Sequence, residues 1–485
     1  MSPDEARARV REAADPELVE RLEHLDAQRS SPPRDDDPPV RPDAGAQTDY
    51  DVVLAGGGLS TLYAPMLARL GLRVAVFERA RAATTHREWN ASHRELHALS
   101  RAGLFRPAEV DALVVARYRK GFCRWHGGGS YPVVNVLDHA LDAGALLAQT
   151  RARAEASGVR FFDGHTLVGH ASGPGAIALR FRTATGEAQC TARLLLDARG
   201  ASSPSATADL VCPTVGGVLQ GLDLGSGPRQ IDPGVGEILV TTEHVEDRRQ
   251  HIWEGFPARP GETTVYLFYY DRRERVGPGA LLALYARFFA TLPRYKTGAS
   301  RLVRPTFGYI PGWSRLGPAP RPPSPRVVLV GDAAARHSPL TYCGFGATLR
   351  SVEPASRRIA AHLLDGPRGG QPVGLDPVVH DTPLHAGTGA LAHMIASPEG
   401  DPAALNTLLD AAFSTLAEMG PEAYQRLLRD EMEAAEFVRF LHRTSVKHPA
   451  VYSAVFRVLG AGGVSRWGAG IARNLAGALL GGRGP

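Results

Sequence analysis

The stretch YDVVLAGGGLSTLYAPMLARLGLRVAVFE, residues 50–78, decides the fold. YDVVLA is a short apolar run that ends in Gly56, Gly57 and Gly58. LSTLYAPMLARLG reads as a helix, and LRVAVFE as a second apolar strand. Strand, glycine turn, helix and strand make a βαβ start for a parallel sheet. Glycines let the backbone turn sharply and approach a pyrophosphate closely. The helix behind them offers unpaired N–H groups and a favourable dipole to the negative charge. Glu78 lies 22 residues after Gly56, at the end of the second strand, where a carboxylate can accept hydrogen bonds from ribose hydroxyls. The third place of the G-x-G-x-x-G spacing holds Thr61 instead of glycine, so the helix is expected slightly farther out.

This start leaves NAD and FAD open. A distant segment, RVVLVGDAAARHSPLTYCGFGATLR over residues 326–350, decides between them. A strand ends in Gly331-Asp332, and a loop with Pro339 and a Gly344-x-Gly346 pair precedes a helix. The segment resembles the Gly-Asp motif of the large family of flavin monooxygenases, geranylgeranyl reductases and lycopene cyclases. The resemblance implies that Asp332 holds a ribityl hydroxyl of FAD. It also implies that the Gly344–Gly346 turn brings a helix N-terminus to the pyrimidine edge of the flavin, where the dipole favours the reduced, negative form. Asp197-Ala198-Arg199-Gly200, with Ser202 and Ser203, resembles the same family's short motif near the pyrophosphate.

The expected architecture is α/β. A Rossmann-like FAD-binding domain of the GR2 type is built from residues 49–205 and 300–366. A β-rich substrate domain over 206–299 is interleaved with it, and a helical C-terminal region covers 400–485. Helices are expected over residues 90–103, 136–157 and 279–293, and a Gly/Pro/His-rich linker over 366–400. Asp401-Pro402 is a good helix start. Residues 1–48 read as a flexible leader, with a short polar helix within 4–29 followed by a Pro- and Asp-rich stretch. The leader has no apolar core, so it does not read as a secretory signal. No run of about 18 apolar residues is present. A cytoplasmic protein, in places peripheral to the inner face of a membrane, is the expected setting. The net charge of +5 is spread along the chain without a dense basic block, which argues against nucleic acid. The four cysteines show no CxxC or Cys/His ligand spacing, so neither a disulfide framework nor a zinc site is suggested, and no metal ligands are expected.

Further motifs narrow the resemblance. Glu88-Trp89-Asn90-Ala91-Ser92 is followed by Glu95-Leu96, HIWEGFPARPGETTVYLFYYD covers 251–271, and FGYIPGW covers 307–313. In motif order, with the Gly331-Asp332 segment, they look like the CruA/CruP-type lycopene cyclase family over most of residues 50–365. That family reads E-W-N-I-S with a basic residue directly after Ser. Here His93 takes that place, and Arg94, one position on, is the candidate for a flavin-contacting arginine. The resemblance implies a hydrophobic polyene substrate and a cyclisation without net redox change. An acid protonates a terminal double bond, the ring closes, and a base removes a proton. NAD(P)H would serve only as reductant of the flavin.

The acid must be a carboxyl in an apolar pocket. Glu254, between Trp253 and Phe256, is the first candidate, and Glu88, beside Trp89, the second. Phe268-Tyr269-Tyr270 reads as core or pocket wall, Asp271 as a strand end, and His251 as a satisfied or exposed histidine. Two other readings stay open: a redox flavoenzyme (monooxygenase, halogenase or polyene reductase), or a CruP-like protein that binds FAD and a lipid without cyclase activity. The W-x-W-x-I-P segment of halogenases is absent. The last 35 residues mix apolar side chains with Arg457, Arg466, Arg473 and Arg483, and fit either an interfacial amphipathic segment or a packed helix pair turning at Gly460, Gly462 and Gly463.

Overall fold

The computed structural model describes the chain except residues 1, 31–37, 44, 46, 315, 317–319, 336, 338–339, 342–343, 366–385, 397, 399 and 482–485. Its first sheet runs in the order Arg160–Asp163, Val74–Glu78, Tyr50–Ala55, Gly186–Asp197, Ile177–Thr183, Thr166–Ser172. Val327–Leu329 adds to the C-terminal half of Gly186–Asp197, in parallel. The parallel part carries the βαβ start. Val52, Val53, Leu54, Leu195, Leu196 and Val328 are buried on both faces, as such a sheet requires. The helices Tyr63–Arg69, Ala143–Ala156 and Gly344–Asp365 contribute Leu67, Leu146 and Ile359 to the core on one face.

The second sheet has eight strands and crosses the expected domain boundaries. Leu210–Leu222 pairs antiparallel with Glu262–Phe268 on one side and with Gly298–Gly312 on the other. Ile252–Pro257 and Val235–Val240 follow, and Val235–Val240 pairs in parallel with Lys120–Arg124. Residues 120–133 and 300–312 thus belong to the substrate-side sheet, although the sequence assigned them to the cofactor domain. The strands Lys120–Arg124 and Gly298–Gly312 join the sheet through Val235–Val240 and Leu210–Leu222, which are distant in sequence, and no local pattern marks that pairing. One face of this sheet packs on the helix Ala280–Tyr295 through Val215, Trp253, Leu267, Tyr285 and Phe288.

Four further expectations change. The segment 90–103 is a strand, Trp89–Ala91, followed by two single helical turns, His93–Leu96 and Ala98–Arg101. Trp89–Ala91 pairs with His139–Leu141, and Ser92 caps the next turn with Glu95. The expected helix over 136–157 begins only at Ala143, where Asp142 Oδ1 accepts the Ala145 N–H at 2.9 Å. Part of the expected linker is the helix Ala386–Ile395; the rest of it lies largely outside the described residues. At the C-terminal side, Leu405, Leu409, Phe413 and Leu416 are buried on the helix Ala404–Met419, and the helix Ala450–Gly481 breaks at Gly460, where φ is +62°.

The fourth change is the leader. Residues 3–30 form two helices, Pro3–Ala13 and Pro16–Ser30. They bury Ala6, Val10, Leu18, Val19 and Leu22 in the cluster around the helix Ala280–Tyr295. Asp26 accepts the Gly279 N–H at 2.9 Å and the Tyr309 hydroxyl, so the segment is also pinned by polar contacts. Leu22→Ala should therefore lower stability by about 2–5 kcal/mol. A denaturant titration that gives no change would return this segment to a loose leader.

Candidate active site

The two glycine motifs meet because of strand register. Ala55 is level with Phe77 on one side and with Asp197 on the other, and Asp197 is level with Leu329. All four strands run the same way, so their carboxyl ends form one row. Gly56, Ala198 and Gly331 leave the sheet just beyond it. The Gly56 N–H bonds to Phe77 O at 2.8 Å, Ala198 N–H to Ala55 O at 2.8 Å, and Val330 N–H to Asp197 O at 3.0 Å. In open α/β sheets the ligand crevice lies outside such a row.

The turns are shaped for close approach. Gly56 has φ +110°, and a Cβ there would collide with the Ala198 carbonyl. A Cβ on Gly57 would sit 2.6 Å from the Ala82 Cβ. Gly58 faces open space on the cavity wall. Glu78 Oε2 accepts the Gly57 N–H at 2.7 Å, and Oε1 the Ala80 N–H at 3.0 Å, so this carboxylate also fixes the glycine turn. Thr61 is fully buried under the turn. Gly331, at φ +59°, approaches Ser60, and Gly200 lies beside Asp332.

A cavity of about 890 Å³ opens at this edge, within the roughly 300–1,000 Å³ of ordinary ligand pockets. Gly56, Gly57, Gly58, Glu78, Gly331, Asp332 and Gly344 all line it. It continues without a break to the inner face of the second sheet, where Cys212, Thr214, Glu254, Phe256, Tyr266 and Phe268 form the wall. Period-two alternation selects that face: Glu254 is level with Tyr266, and Ile252 with Phe268. Trp89 stacks on Phe345 at 4.9 Å between the two ends. The aromatic run therefore divides, with Phe268 on the cavity and Tyr269 in the core behind the sheet.

The two candidate acids differ in their partners. Glu254 makes no hydrogen bond or ion pair among the described residues. The groups around it are already engaged: the Tyr266 hydroxyl donates to Glu88 O at 3.1 Å, and Cys212 lies against the Thr214 hydroxyl at 3.5 Å. Burial alone pushes the Glu254 carboxyl up to about 8. Glu88 also lines the cavity but is ion-paired with Arg304 at 3.2 Å, and Arg304 binds Glu262 as well.

Other expected site residues have other duties. Asp197 is buried behind the wall and accepts from Arg199 Nε at 3.0 Å, Arg199 Nη2 at 2.9 Å and Ser203 Oγ at 2.7 Å. Burial opposes its charge, but Arg199 and Ser203 outweigh that and hold its carboxyl below the usual range. Ala198, Arg199, Gly200 and Ser202 are the cavity residues of that segment. Gly346 does not line the cavity; a Cβ there would strike the Glu95 carboxylate, which pairs with Arg350. Arg94 is exposed and off the cavity wall, because the helical turn 93–96 directs it outward. Pro339 lies outside the described residues. Asp271 is buried between Arg249 and Arg275, a structural role. His251 is buried off the cavity, and its ring is pushed down to about 3 by burial and by Arg287 and Arg249.

Solved structures share the fold at low identity. A geranylgeranyl bacteriochlorophyll reductase-like protein from Thermoplasma acidophilum superposes with a TM-score of 0.59 and 14% identity, over 84% of this chain and 99% of that one. The chain shares its fold. The halogenase PltM in complex with phloroglucinol and FAD gives a TM-score of 0.53 at 13% identity, over 83% and 96%. A flavoprotein/dehydrogenase from Cytophaga hutchinsonii gives 0.53 at 15%, over 79% and 92%. No family model and no curated protein matches the sequence. The α/β architecture with a Rossmann-type domain is thus the fold of flavoproteins.

The Glu254 environment sets a pH dependence. Its folded value, about 8, lies above the ordinary 4.5. Between those values the folded chain keeps a proton that the unfolded chain has released, so this group's contribution to stability falls as pH rises through the window. Glu254→Gln should remove that slope. The variant should gain stability relative to the parent between pH 5 and 8 in urea titrations; parallel curves would refute the desolvated carboxyl.

Proposed function

We propose that the chain is an FAD-dependent enzyme that closes rings on a long apolar polyene of the lycopene type, without net electron transfer. The observation that carries this reading is Glu254, a carboxyl without a charge partner on an aromatic wall of the same cavity that the glycine turns open. The residues present fit the cofactor. Gly56 and Gly57 let the turn fold tightly against Ala198 and Ala82, Gly58 faces open space on the cavity wall, and Asp332 and the start of the helix Gly344–Asp365 line the same cavity.

Glu254 keeps its proton at neutral pH because the wall offers its carboxylate no compensation. It can therefore donate from a carboxyl oxygen to a terminal carbon–carbon double bond. The neighbouring double bond attacks, a six-membered ring closes, and a proton then leaves for a base. One proton enters and one leaves, so the product is an isomer. Phe256, Tyr266 and Phe268 exclude water from the cation and offer it aromatic faces. Bound reduced FAD would supply negative charge beside the ring. NAD(P)H enters this scheme only as a source of reduced cofactor.

A polyene substrate implies contact with a bilayer. Among the described residues no helix is long and apolar enough to cross one. Tyr452 and Phe456 are exposed on the helix Ala450–Gly481, next to the exposed Arg457, which supports docking on an anionic lipid surface.

Expression in a lycopene-accumulating bacterium tests the reading. The parent chain should convert lycopene to a cyclised isomer on HPLC, Glu254→Gln should leave it unchanged while retaining flavin, and Asp332→Ala should lose flavin. Unchanged lycopene beside flavin-loaded parent protein would set cyclase activity aside. Rapid NAD(P)H oxidation with oxygen uptake would replace it with a redox reaction.

A further inference from the structure

A second group of ligand-type side chains lies away from the cavity. His93 begins the helical turn His93–Leu96, and His97 is its C-terminal cap. Spacing of i, i+4 puts both imidazoles on one face, and their ring centroids are 4.2 Å apart. Asp111, on the helix Pro107–Ala112, faces them, with its Oδ1 4.0 Å from His97 Nε2. One ligand atom from each of the three residues lies within 4.8 Å of the others. None of the three lines the cavity.

The group is not explained by packing. His97 Nε2 is shut off from solvent and has no hydrogen-bond partner. Asp111 Oδ1 accepts from Arg117 Nη2 at 2.9 Å, and its other oxygen has no partner among the described residues. The turn itself is held from the opposite side. Ser92 and Glu95 cap it, Leu96 is buried, and Glu95 pairs with Arg350 on the cavity wall. His139 stands alongside, its ring 5.6 Å from that of His93. Its Nδ1 is 2.8 Å from Asp138 Oδ1, the kind of carboxylate contact that orients an imidazole beside a metal.

We propose that His93, His97 and Asp111 bind one divalent transition-metal ion, of which zinc fits the donors best. Two imidazole nitrogens and one carboxylate oxygen are ligands that zinc accepts, with water completing a tetrahedron. Magnesium and calcium demand oxygen ligands in larger number, so they should not compete. Arg117 and the nearby Arg101 oppose any cation, which favours an ion that gains strongly from imidazole over a hard one. Through the turn that carries Glu95, the ion would brace the wall of the cavity from outside.

The full-length protein, stripped with chelator and dialysed, tests this. Calorimetric titration with zinc chloride should give one ion per chain, and zinc should raise Tm as a ligand of the folded state does. Magnesium chloride should do neither. His97→Ala should weaken zinc binding by more than the roughly 10–100-fold that loss of an outer partner costs, and should abolish the Tm shift. If His97→Ala fails to fold by circular dichroism, Asp111→Asn, at an exposed position, should show the same loss. Equal zinc uptake by parent and variants would assign the metal to cysteines such as Cys190 and overturn the proposal, as would a parent chain that takes up no zinc.

Discussion

The parallel register of four strands is the constraint on which the rest of the molecule depends. Ala55, Phe77, Asp197 and Leu329 sit level across the sheet. Ladder hydrogen bonds fix that alignment, and a slip of one residue would turn every buried side chain to the other face. With the row in place, turns separated by about 275 residues open on the same crevice. The glycines add what the register alone cannot: Gly56 and Gly57 let the turn close against Ala198 and Ala82, where a Cβ would collide, and leave Gly58 facing the crevice.

The second sheet uses the opposite device. It withholds compensation. Antiparallel alternation brings Glu254, Tyr266, Phe256 and Phe268 to one face and commits the nearby hydroxyl and thiol groups elsewhere. A carboxyl in such a place remains protonated because ionisation would leave a charge without solvent or counterion. Glu88, on the same cavity, has Arg304 instead. Two carboxyls with such different surroundings can serve one cavity in different ways, Glu254 holding a proton and Glu88 a cation.

Much of this was legible in the sequence where the requirement is local. A glycine after an apolar strand is a backbone demand, so Gly56, Gly57, Gly58 and Gly331 could be placed by inspection. Glu254 stood out because Trp253 and Phe256 flank it. Requirements set by distant partners stayed hidden. Nothing near Lys120 or Gly298 reveals that these strands join the second sheet. Gly346 resembled a cofactor glycine, yet its missing Cβ makes room for Glu95. Asp197 resembled a cofactor ligand, yet it orients Arg199. The N-terminal helices looked like a leader because charged residues dominate them. Val10, Leu18, Val19 and Leu22 were the available signal, an apolar stripe narrow enough to be overlooked.

Titration of the purified, cofactor-stripped chain with FAD, followed by quenching of flavin fluorescence and repeated with excess NADH as competitor, tests the shared crevice most directly. The account predicts saturation at one FAD per chain, no displacement by NADH, and loss of saturable binding when Gly58, which faces the cavity, is replaced by valine in a chain that still folds. Absence of saturable binding, or equal binding by the Gly58→Val chain, would contradict it.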